Sequence, residues 1–315
     1  MYKHIHITGS SGFLGMNLIK NLKGFYLTGS SRIFNECLDF QHHKIDWSKK
    51  TSRNYKFEKK IDVIVNCSGL AHTPETKKNK NSYYAINCDG AINALMCAHL
   101  NGAKKFIQIS TISVYDTSAN DVFIDKTTKE NPTTHYGKSK LEAELRLQEE
   151  ARKLNIDLVI IRPAMIIGTP LRGNLRSLIK YLHTGMPFLH PKIENRKSYI
   201  EICSLIRLIE ISITNKNAVG KIFLAASKNT ISTRNTARAI RRGLKKNHTE
   251  IALPGYILKL LKKTKFYSFW NKLFGNLVVN VEYTEDILKW DADDDLSYAF
   301  RKCGKHFASS KILNV

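Results

Sequence analysis

The residues with the clearest chemical meaning are Tyr136 and Lys140, which stand four positions apart in the stretch Tyr-Gly-Lys-Ser-Lys. At this spacing on a helix the two side chains project from one face. An ammonium ion beside a phenol favours the phenolate, so the pair predicts a lowered pKa for Tyr136. Such a phenol suits a general acid/base that exchanges a proton with a sugar hydroxyl or a ketone. The same spacing arises by chance on many surface helices, so the interpretation depends on the motifs around it.

A glycine-rich stretch near the N-terminus is the second chemical motif. Gly9-x-x-Gly12-x-x-Gly15 follows a predicted strand at 3–8 and precedes a predicted helix that begins at Phe13. Gly9 permits a tight turn, Gly12 lets the backbone approach a pyrophosphate, and Gly15 lets the helix pack closely on the strand. Free N–H groups and the helix dipole then favour the phosphates of a dinucleotide.

The segments beyond this turn alternate between predicted strands and helices. The run from Ile61 to Ala71 is nearly continuous in apolar residues and ends in small ones, as expected for a buried parallel strand. Further strands are predicted at about 25–28, 104–110, 156–161 and 221–225, and helices at about 88–100 and 136–154. The alternation predicts an α/β fold, with a Rossmann-type doubly wound parallel sheet over 1–168 and a smaller C-terminal substrate-binding region over 169–315.

The charge balance is strongly basic, because 50 Lys and Arg residues against 27 Asp and Glu residues leave a formal net charge of +23. The basic residues are spread along the chain, with short clusters at 77–80, 241–246 and 262–265, and no RNA-recognition or zinc-knuckle signature accompanies them. We therefore expect a solvated, lysine-rich surface that attracts phosphorylated small molecules, and no nucleic-acid partner.

The cysteines and the first residues bear on the cell compartment. Six cysteines show no Cys-x-x-Cys and no paired spacing, which is typical of a reducing compartment. The opening residues, MYKHIHITGSSG, contain no apolar signal-peptide core, and no run of 18 apolar residues occurs. These features predict a cytoplasmic protein. His4 and His6 alternate with isoleucines in a strand and have no metal-type partner nearby, so no metal site is expected.

Three motifs in order carry a resemblance to a known family. They are Thr-Gly-Ser-Ser-Gly-Phe-Leu-Gly at 8–15, Ile-Ser-Thr-Ile-Ser-Val-Tyr at 109–115 and the Tyr-x-x-x-Lys motif at 136–140. Together they resemble the extended short-chain dehydrogenase/reductase family, and the likeness covers most of the chain. The resemblance implies a catalytic set of Thr111, Tyr136 and Lys140, in which the hydroxyl of Thr111 assists the tyrosine.

The resemblance also implies a dinucleotide site. Its expected members are Gly9, Ser11, Gly12, Phe13, Leu14, Gly15, Ser31, Arg32, Asp46, Trp47, Ser68, Gly69, Leu70, Asn87, Tyr136, Lys140 and Pro163. After the second strand an acidic residue would bind the adenosine ribose hydroxyls and favour NAD, whereas this chain has Ser30-Ser31-Arg32. Hydroxyls and a guanidinium suit a 2′-phosphate, so NADP(H) is preferred, with NAD(H) as the alternative. Otherwise Arg32 is a solvent-facing turn residue.

The substrate implied by the resemblance is a UDP-linked sugar. Its expected contacts are His72, Thr111, Ser113, Asn174, Leu175 and Arg196. In relatives, an Asn-Leu that opens a helix and an arginine after it lie near the diphosphate, which a guanidinium fork fits well. These stretches look most like the branch that includes UDP-N-acetylhexosamine 4-epimerases and 4-keto-6-deoxy-sugar reductases of surface-polysaccharide synthesis.

Three functions are compatible with these motifs. One is an NADPH-dependent reductase of a UDP-linked 4-keto-6-deoxy-N-acetylhexosamine, and the second is a 4-epimerase that retains NAD. The third is a catalytically idle dinucleotide-binding protein, against which the intact catalytic set argues. Dehydratases of the family carry an Asp-Glu pair where this chain has Ile112-Ser113, so water elimination lacks its acid and base. The Ser30-Ser31-Arg32 turn favours reduction, because cells use NADP mainly for net reductions.

Two expectations concern partners other than the substrate. In the family the helices at about 88–100 and 136–153 pair across a two-fold axis, which predicts a homodimer, and Ala91, Ala94, Leu95 and Ala98 suit close packing there. The segment 254–280 mixes aromatic residues with lysines at roughly helical spacing. It is compatible with peripheral contact at the inner face of an anionic membrane, and the preferred interpretation is helices packed on the substrate region.

Overall fold

The central sheet of this computed structural model explains where a ligand can bind. The structure describes residues 4–33, 40–71, 76, 79–119, 121–171, 173–192, 194–247, 249–254 and 273–310. Its strands are β1 (His4–Thr8), β2 (Tyr26–Ser31), β3 (Gln41–Lys44), β4 (Val63–Asn66), β5 (Lys105–Ile109), β6 (Asp121–Ile124), β7 (Asp157–Pro163), β8 (Met165–Ile167), β9 (Phe188–Pro191), β10 (Lys197–Glu201), β11 (Ile222–Ala225), β12 (Thr230–Ile231), β13 (Glu250–Leu253) and β14 (Asn276–Val279).

The helices lie between these strands. They are α1 (Phe13–Asn21), α2 (Lys80–Tyr84), α3 (Gly90–Leu100), α4 (His135–Lys153), α5 (Gly173–His183), α6 (Ile202–Thr214), α7 (Thr233–Leu244), α8 (Glu282–Leu288) and α9 (Leu296–Ser309). A π-helical turn, Ala85–Asp89, joins α2 to α3. The predicted helices and strands are therefore present, with bounds that differ from the predictions by a few residues.

Seven parallel strands form the main sheet in the order β11-β7-β5-β4-β1-β2-β3. The order reverses between β1 and β4, which makes this a doubly wound sheet of the Rossmann type and confirms the predicted fold class. In such sheets a ligand binds in the crevice outside the carboxyl ends of the strands at the reversal. Thr8 of β1 pairs with Asn66 of β4, so the residues that follow these two open the crevice.

Both faces of the main sheet are covered, which explains the nearly continuous apolar run of β4. On one face Ile5 and Ile7 belong to a core cluster with Leu14 and Leu18 of α1. On the other face Ile64 belongs to a cluster that includes residues of α3 and α4.

The histidines of β1 are buried structural residues. The ring nitrogens of His6 lie 2.9 Å from Thr28 Oγ1 and 2.8 Å from Ser30 Oγ. His4 Nε2 lies 2.9 Å from the same Thr28 hydroxyl. Within the part of the chain that the structure describes, no group of three or more His, Cys, Asp or Glu side chains could hold a metal ion.

The C-terminal region carries a second sheet in the order β12-β10-β14-β6, and β8 also pairs with β10. The chain crosses between the two sheets: β6 comes from the N-terminal part, while β11 returns to the main sheet beside β7. A division at residue 168 therefore stays a prediction, and the topology interleaves the two regions around it.

The apolar residues chosen for a dimer interface are not available to a second subunit. Ala91, Ala94, Leu95 and Ala98 are at most 1% exposed and lie in the core cluster between α3, α4 and the main sheet. Their selection was wrong, because apolar spacing on a helix does not distinguish a face that meets its own sheet from one that meets a partner. The dimer itself stays a prediction.

Two predictions concern residues that the structure does not describe. His72 lies outside the described residues, and so does most of the basic aromatic segment, 255–272. Among the helices that are described, none is long and apolar enough to cross a membrane.

Candidate active site

Helix α4 places the tyrosine and lysine beside the end of β5. The helix begins after Thr134, whose hydroxyl accepts a 3.0 Å hydrogen bond from Gly137 N and caps the first turn. One turn on, the Nζ of Lys140 donates to the Ile109 carbonyl at 2.9 Å. Thr111, just beyond β5, is hydrogen-bonded to the Tyr136 hydroxyl. The structure thus brings together the three residues of the predicted catalytic set.

A glycine that the sequence analysis did not single out makes this approach possible. A Cβ added to Gly137 would lie 2.1 Å from the Ser113 carbonyl oxygen and 3.0 Å from Pro132. Helix α4 therefore touches the short 3-10 turn Ile112–Val114 backbone to backbone, and Tyr136 reaches Thr111 as a result. The glycine within Tyr-Gly-Lys-Ser-Lys was the available signal.

The electrostatics of the pair differ from the expectation. Burial raises the pKa of Tyr136, and the hydrogen bond from Thr111 only partly opposes it. Burial also lowers the pKa of Lys140 to about 8. The predicted lowering of the phenol pKa was therefore wrong for this structure, because desolvation of the buried phenol outweighs the effect of the hydrogen bond from Thr111.

The glycine-rich turn fits a dinucleotide at the sheet reversal. Gly9 has φ +65°, and an added Cβ would lie 2.9 Å from the backbone of Cys67 at the end of β4. A Cβ on Gly15 would lie 2.4 Å from the Gly9 carbonyl oxygen. Side chains at these two positions would fill the cradle between β1, β4 and the N-terminus of α1, where free N–H groups favour phosphates.

The loop after β4 connects the cradle to the catalytic helix. Leu70 N donates to Asn87 Oδ1 at 2.6 Å, and Asn87 Nδ2 donates to the Ser139 hydroxyl at 2.9 Å. A Cβ on Gly69 would lie 3.2 Å from Lys140 Nζ. Ser68 N donates to Thr8 Oγ1 at 3.2 Å. These contacts thus connect the loop to β1 through Thr8 and to α4 through Ser139 and Lys140.

The remaining predicted dinucleotide contacts occupy different environments. Ser11, Gly12 and Phe13 are half-buried in the turn, and Leu14 and Pro163 are buried. Arg32 is exposed at the end of β2, next to a buried Ser31 whose hydroxyl donates to Ile33 O at 2.6 Å. Contact between these residues and a dinucleotide stays a prediction.

The Asp46-Trp47 pair is engaged within the protein. Asp46 accepts hydrogen bonds from the backbone and the hydroxyl of Ser48, at 3.2 and 2.7 Å. Trp47 is 4% exposed in the core and donates to Ser30 Oγ at 3.0 Å. Contact between this pair and an adenine ring stays a prediction. The Trp47 indole packs in the protein core.

Positions 112 and 113 contain no acid or base. Ile112 is buried, and the hydroxyl oxygens of Thr111 and Ser113 lie 3.2 Å apart. Tyr136 and Lys140 are the titratable groups of the predicted catalytic set, and a phenol near an ammonium suits proton exchange with a hydroxyl or a ketone.

Three of the predicted substrate contacts, Asn174, Leu175 and Arg196, are dispersed over the C-terminal region. Leu175 is buried in a core cluster with residues of α7 and α9, and Asn174 lies in the first turn of α5. Arg196 is exposed, with Nε 3.5 Å from Thr230 Oγ1. The next residue, Lys197, is half-buried, and burial lowers its pKa to about 8. The sequence predicted Arg196 as a substrate contact and not Lys197, although the two cations are adjacent.

A cleft of about 600 Å³ opens elsewhere, between β12, α7 and the start of α9. Arg238, Arg242 and Asp293 are among its lining residues, and none of the predicted site residues is. Asp293 accepts from Asn229 at 2.7 Å, and Arg238 binds Glu250 at 2.7 Å. The cleft is thus separate from the residues around α4 that the sequence predicts as the catalytic set.

A Rossmann-type sheet with a glycine cradle and a Thr–Tyr–Lys set defines a dinucleotide-dependent class of proteins. Comparison with known proteins gives the family: the chain belongs to the NAD dependent epimerase/dehydratase family, whose model matches residues 5–200. It is 30% identical over 317 residues to the UDP-glucose 4-epimerase of Vibrio cholerae, which covers 98% of this chain and 96% of that protein.

Solved structures agree on the fold. The UDP-glucuronic acid 4-epimerase from Bacillus cereus in complex with NAD matches with a TM-score of 0.74 at 20% identity, over 97% of this chain and 96% of that one. RMD from Pseudomonas aeruginosa complexed with NADPH matches with a TM-score of 0.74 at 15% identity, over 98% and 100%. At such low sequence identity, these matches establish a shared fold and nothing more.

Proposed function

We propose that this chain is a 4-epimerase of a UDP-linked hexose or N-acetylhexosamine. The observation that carries the proposal is the Thr111–Tyr136–Lys140 set, which stands beside the dinucleotide cradle without a carboxylate pair at 112–113. Whole-chain similarity to a UDP-glucose 4-epimerase supports epimerisation in particular. This reverses the order in which sequence alone ranked the two reactions.

Each residue of the set has a distinct task in this proposal. Tyr136 accepts the proton of the C4 hydroxyl when that carbon is oxidised and returns it when the ketone is reduced. Thr111 donates to the phenol oxygen or the substrate oxygen and keeps the two aligned. Lys140 stabilises negative charge that develops on Tyr136. A bound NAD(P), held by the Gly9–Gly15 cradle and the loop after β4, would exchange hydride with C4.

A 4-keto reductase that uses NADPH is the second candidate. Its support is the exposed Arg32 just after β2, in the sequence Gly29-Ser30-Ser31-Arg32, which contains no acidic residue. A guanidinium there suits a 2′-phosphate and hence a cofactor used for net reduction. The catalytic set serves either reaction, since both move one proton and one hydride at C4.

The epimerase and the reductase differ in whether the enzyme consumes NADPH. UDP-GlcNAc or UDP-glucose is incubated with the purified protein and no added nucleotide, and the products are followed by NMR. We expect interconversion with the C4 epimer and no net nicotinamide turnover. If a UDP-4-keto-6-deoxy-N-acetylhexosamine instead oxidises NADPH stoichiometrically, the reductase is correct. No reaction in either assay, with dinucleotide binding retained, would support an idle binding protein.

We also propose a homodimer in which α4 contributes an exposed face. Leu145 on α4 is 59% exposed, next to an Arg146–Asp89 ion pair. A second subunit that covers this leucine would bury apolar surface. Light scattering at micromolar concentration should give twice the chain mass, and Leu145→Lys should shift it toward the monomer. A wild-type monomer would contradict the proposal.

A further inference from the structure

A buried carboxylate lies two turns beyond the catalytic tyrosine on the same face of α4. Tyr136, Lys140 and Glu144 follow one another at four-residue intervals, and Glu144 is 0% exposed. An unpaired carboxylate at such a position would be strongly disfavoured, so its partners are informative.

Two elements other than α4 supply those partners. Ser110 Oγ donates to Glu144 Oε1, and Arg162 Nη2 donates to Oε2 at 2.5 Å. Arg162 Nε lies 3.1 Å from each carboxylate oxygen, and Arg162 is itself 3% exposed. The carboxylate is thus fully bonded, in a charge-assisted geometry that fixes direction as well as distance.

The partners are immediate neighbours of predicted site residues. Ser110 precedes Thr111 at the end of β5, and Arg162 precedes Pro163 in β7. Glu144 therefore joins the end of β5 and the end of β7 to the helix that carries Tyr136. The far side of the guanidinium is also held, by Tyr115 OH at 2.5 Å and Glu130 Oε1 at 2.8 Å.

We propose that Glu144 is a positioning residue, whose carboxylate holds Thr111 and Lys140 in register with Tyr136 for proton transfer. It acts through Ser110 on Thr111 and through helix α4 on Lys140. A misplacement of about 1 Å at such a site lowers rate about a hundredfold, even when the altered residue is remote from the substrate.

Charge supports the same role. Lys140 is buried, which lowers its pKa, while Cys67 and Glu144 both raise it, so Glu144 helps to keep the ammonium charged. Among the described residues, the titratable and charged groups around this cluster are Cys67 just after β4, Tyr136 and Lys140 from α4, Arg162 from β7, and Tyr115 and Glu130 from the loops. Removal of the Glu144 charge should therefore make Lys140 lose its proton at lower pH.

The test compares Glu144→Gln with Glu142→Gln, a change of the same kind at a half-exposed position of α4. This inference rests on the proposed 4-epimerase activity for kcat, and dinucleotide affinity is a readout that does not need it. We expect Glu144→Gln to lower kcat by at least about tenfold with the substrate KM nearly unchanged. The alkaline decline of kcat and of dinucleotide affinity should both move to lower pH. Glu142→Gln should match wild type.

A purely structural role for the ion pair predicts a different pattern. The double variant Glu144→Gln/Arg162→Gln removes both buried charges and should recover thermal stability relative to Glu144→Gln alone. If the alkaline decline still lies at lower pH in the refolded double variant, the positioning role holds. Recovery of both stability and the wild-type pH profile would overturn it, as would an unchanged profile in Glu144→Gln. If no UDP-sugar reacts with the wild-type protein, the pH dependence of dinucleotide affinity still tests the positioning role.

Discussion

At the scale of single residues, the proposed chemistry depends most on Tyr136. Its hydroxyl is hydrogen-bonded to Thr111, and its elevated pKa means that it is protonated near neutral pH. It can therefore donate a proton to an alkoxide directly. To act as a base, Tyr136 needs its pKa to be lowered when the substrate and the dinucleotide bind.

Replacement of that hydroxyl should remove catalysis and spare binding. Tyr136→Phe is expected to lower kcat by at least about a hundredfold, the contribution of a positioned acid/base. Dinucleotide affinity should be nearly unchanged, since the ring remains. Steady-state kinetics and fluorescence titration measure the two effects, and Tyr298→Phe at a 58% exposed tyrosine is the control. Near-normal turnover would remove Tyr136 from the mechanism.

Arg32 is the residue that should read the 2′-phosphate. Arg32→Ala is expected to weaken NADPH by roughly 1.5–3 kcal/mol, the value of a charged hydrogen bond, and to leave NADH nearly unaffected. Isothermal titration with both cofactors gives the ratio, and the exposed Arg152→Ala is the control. Equal losses for NADPH and NADH would show that Arg32 does not contact that phosphate.

At the scale of elements, the contact between α4 and the 3-10 turn determines the site. Gly137 meets the Ser113 carbonyl so closely that a methyl group cannot be placed there without a shift of the helix. That contact sets the distance between Tyr136 and Thr111, which belong to separate elements.

Replacement of a glycine by alanine inside a helix usually stabilises a protein, and at Gly137 we expect the opposite. Gly137→Ala is expected to destabilise the fold by roughly 1–3 kcal/mol through overpacking and to lower kcat. Gly90→Ala in α3 is the matched control, because its added Cβ would meet the nearest atoms at an ordinary 3.6 Å. There, alanine should be neutral or stabilise by up to about 1 kcal/mol. Urea denaturation measures both, and equal effects would contradict the close contact.

At the scale of the whole molecule, buried histidines should make the fold sensitive to acid. His4, His6, His42 and His43 lie on β1 and β3, and burial lowers the pKa of each below the ordinary 6.5. The unfolded chain then binds more protons, so stability is complete above about pH 6.5 and falls as the pH drops toward the folded-state pKa values.

His6, which is wholly buried, should contribute the steepest part of this loss. His6→Gln is expected to flatten the decline of the free energy of unfolding with falling pH, by up to about 1.4 kcal/mol per pH unit. Urea midpoints between about pH 8 and about pH 5 give the slope. The exposed His99→Gln is the control. An unchanged slope in His6→Gln would show that another group causes the acid sensitivity.

The sequence by itself determined the parallel α/β fold, the glycine cradle and the Tyr-x-x-x-Lys spacing on α4, because these depend on local patterns. A glycine at a left-handed turn, apolar runs in strands and a four-residue spacing on a helix are written in consecutive residues. Sequence also excluded an acid pair at 112–113.

Only the tertiary structure decided the direction of the pKa shift of Tyr136 and which helix faces are exposed. The pKa of Tyr136 rises because desolvation, which depends on distant segments, exceeds the effect of the Thr111 hydrogen bond. Ala91 and Ala94 belong to the chain's own core because the main sheet covers them. Glu144 and Arg162 are 18 positions apart and reveal their pairing only when β7 lies beside α4. Burial and long-range contacts have no counterpart in a local pattern, and this is why the sequence could not determine them.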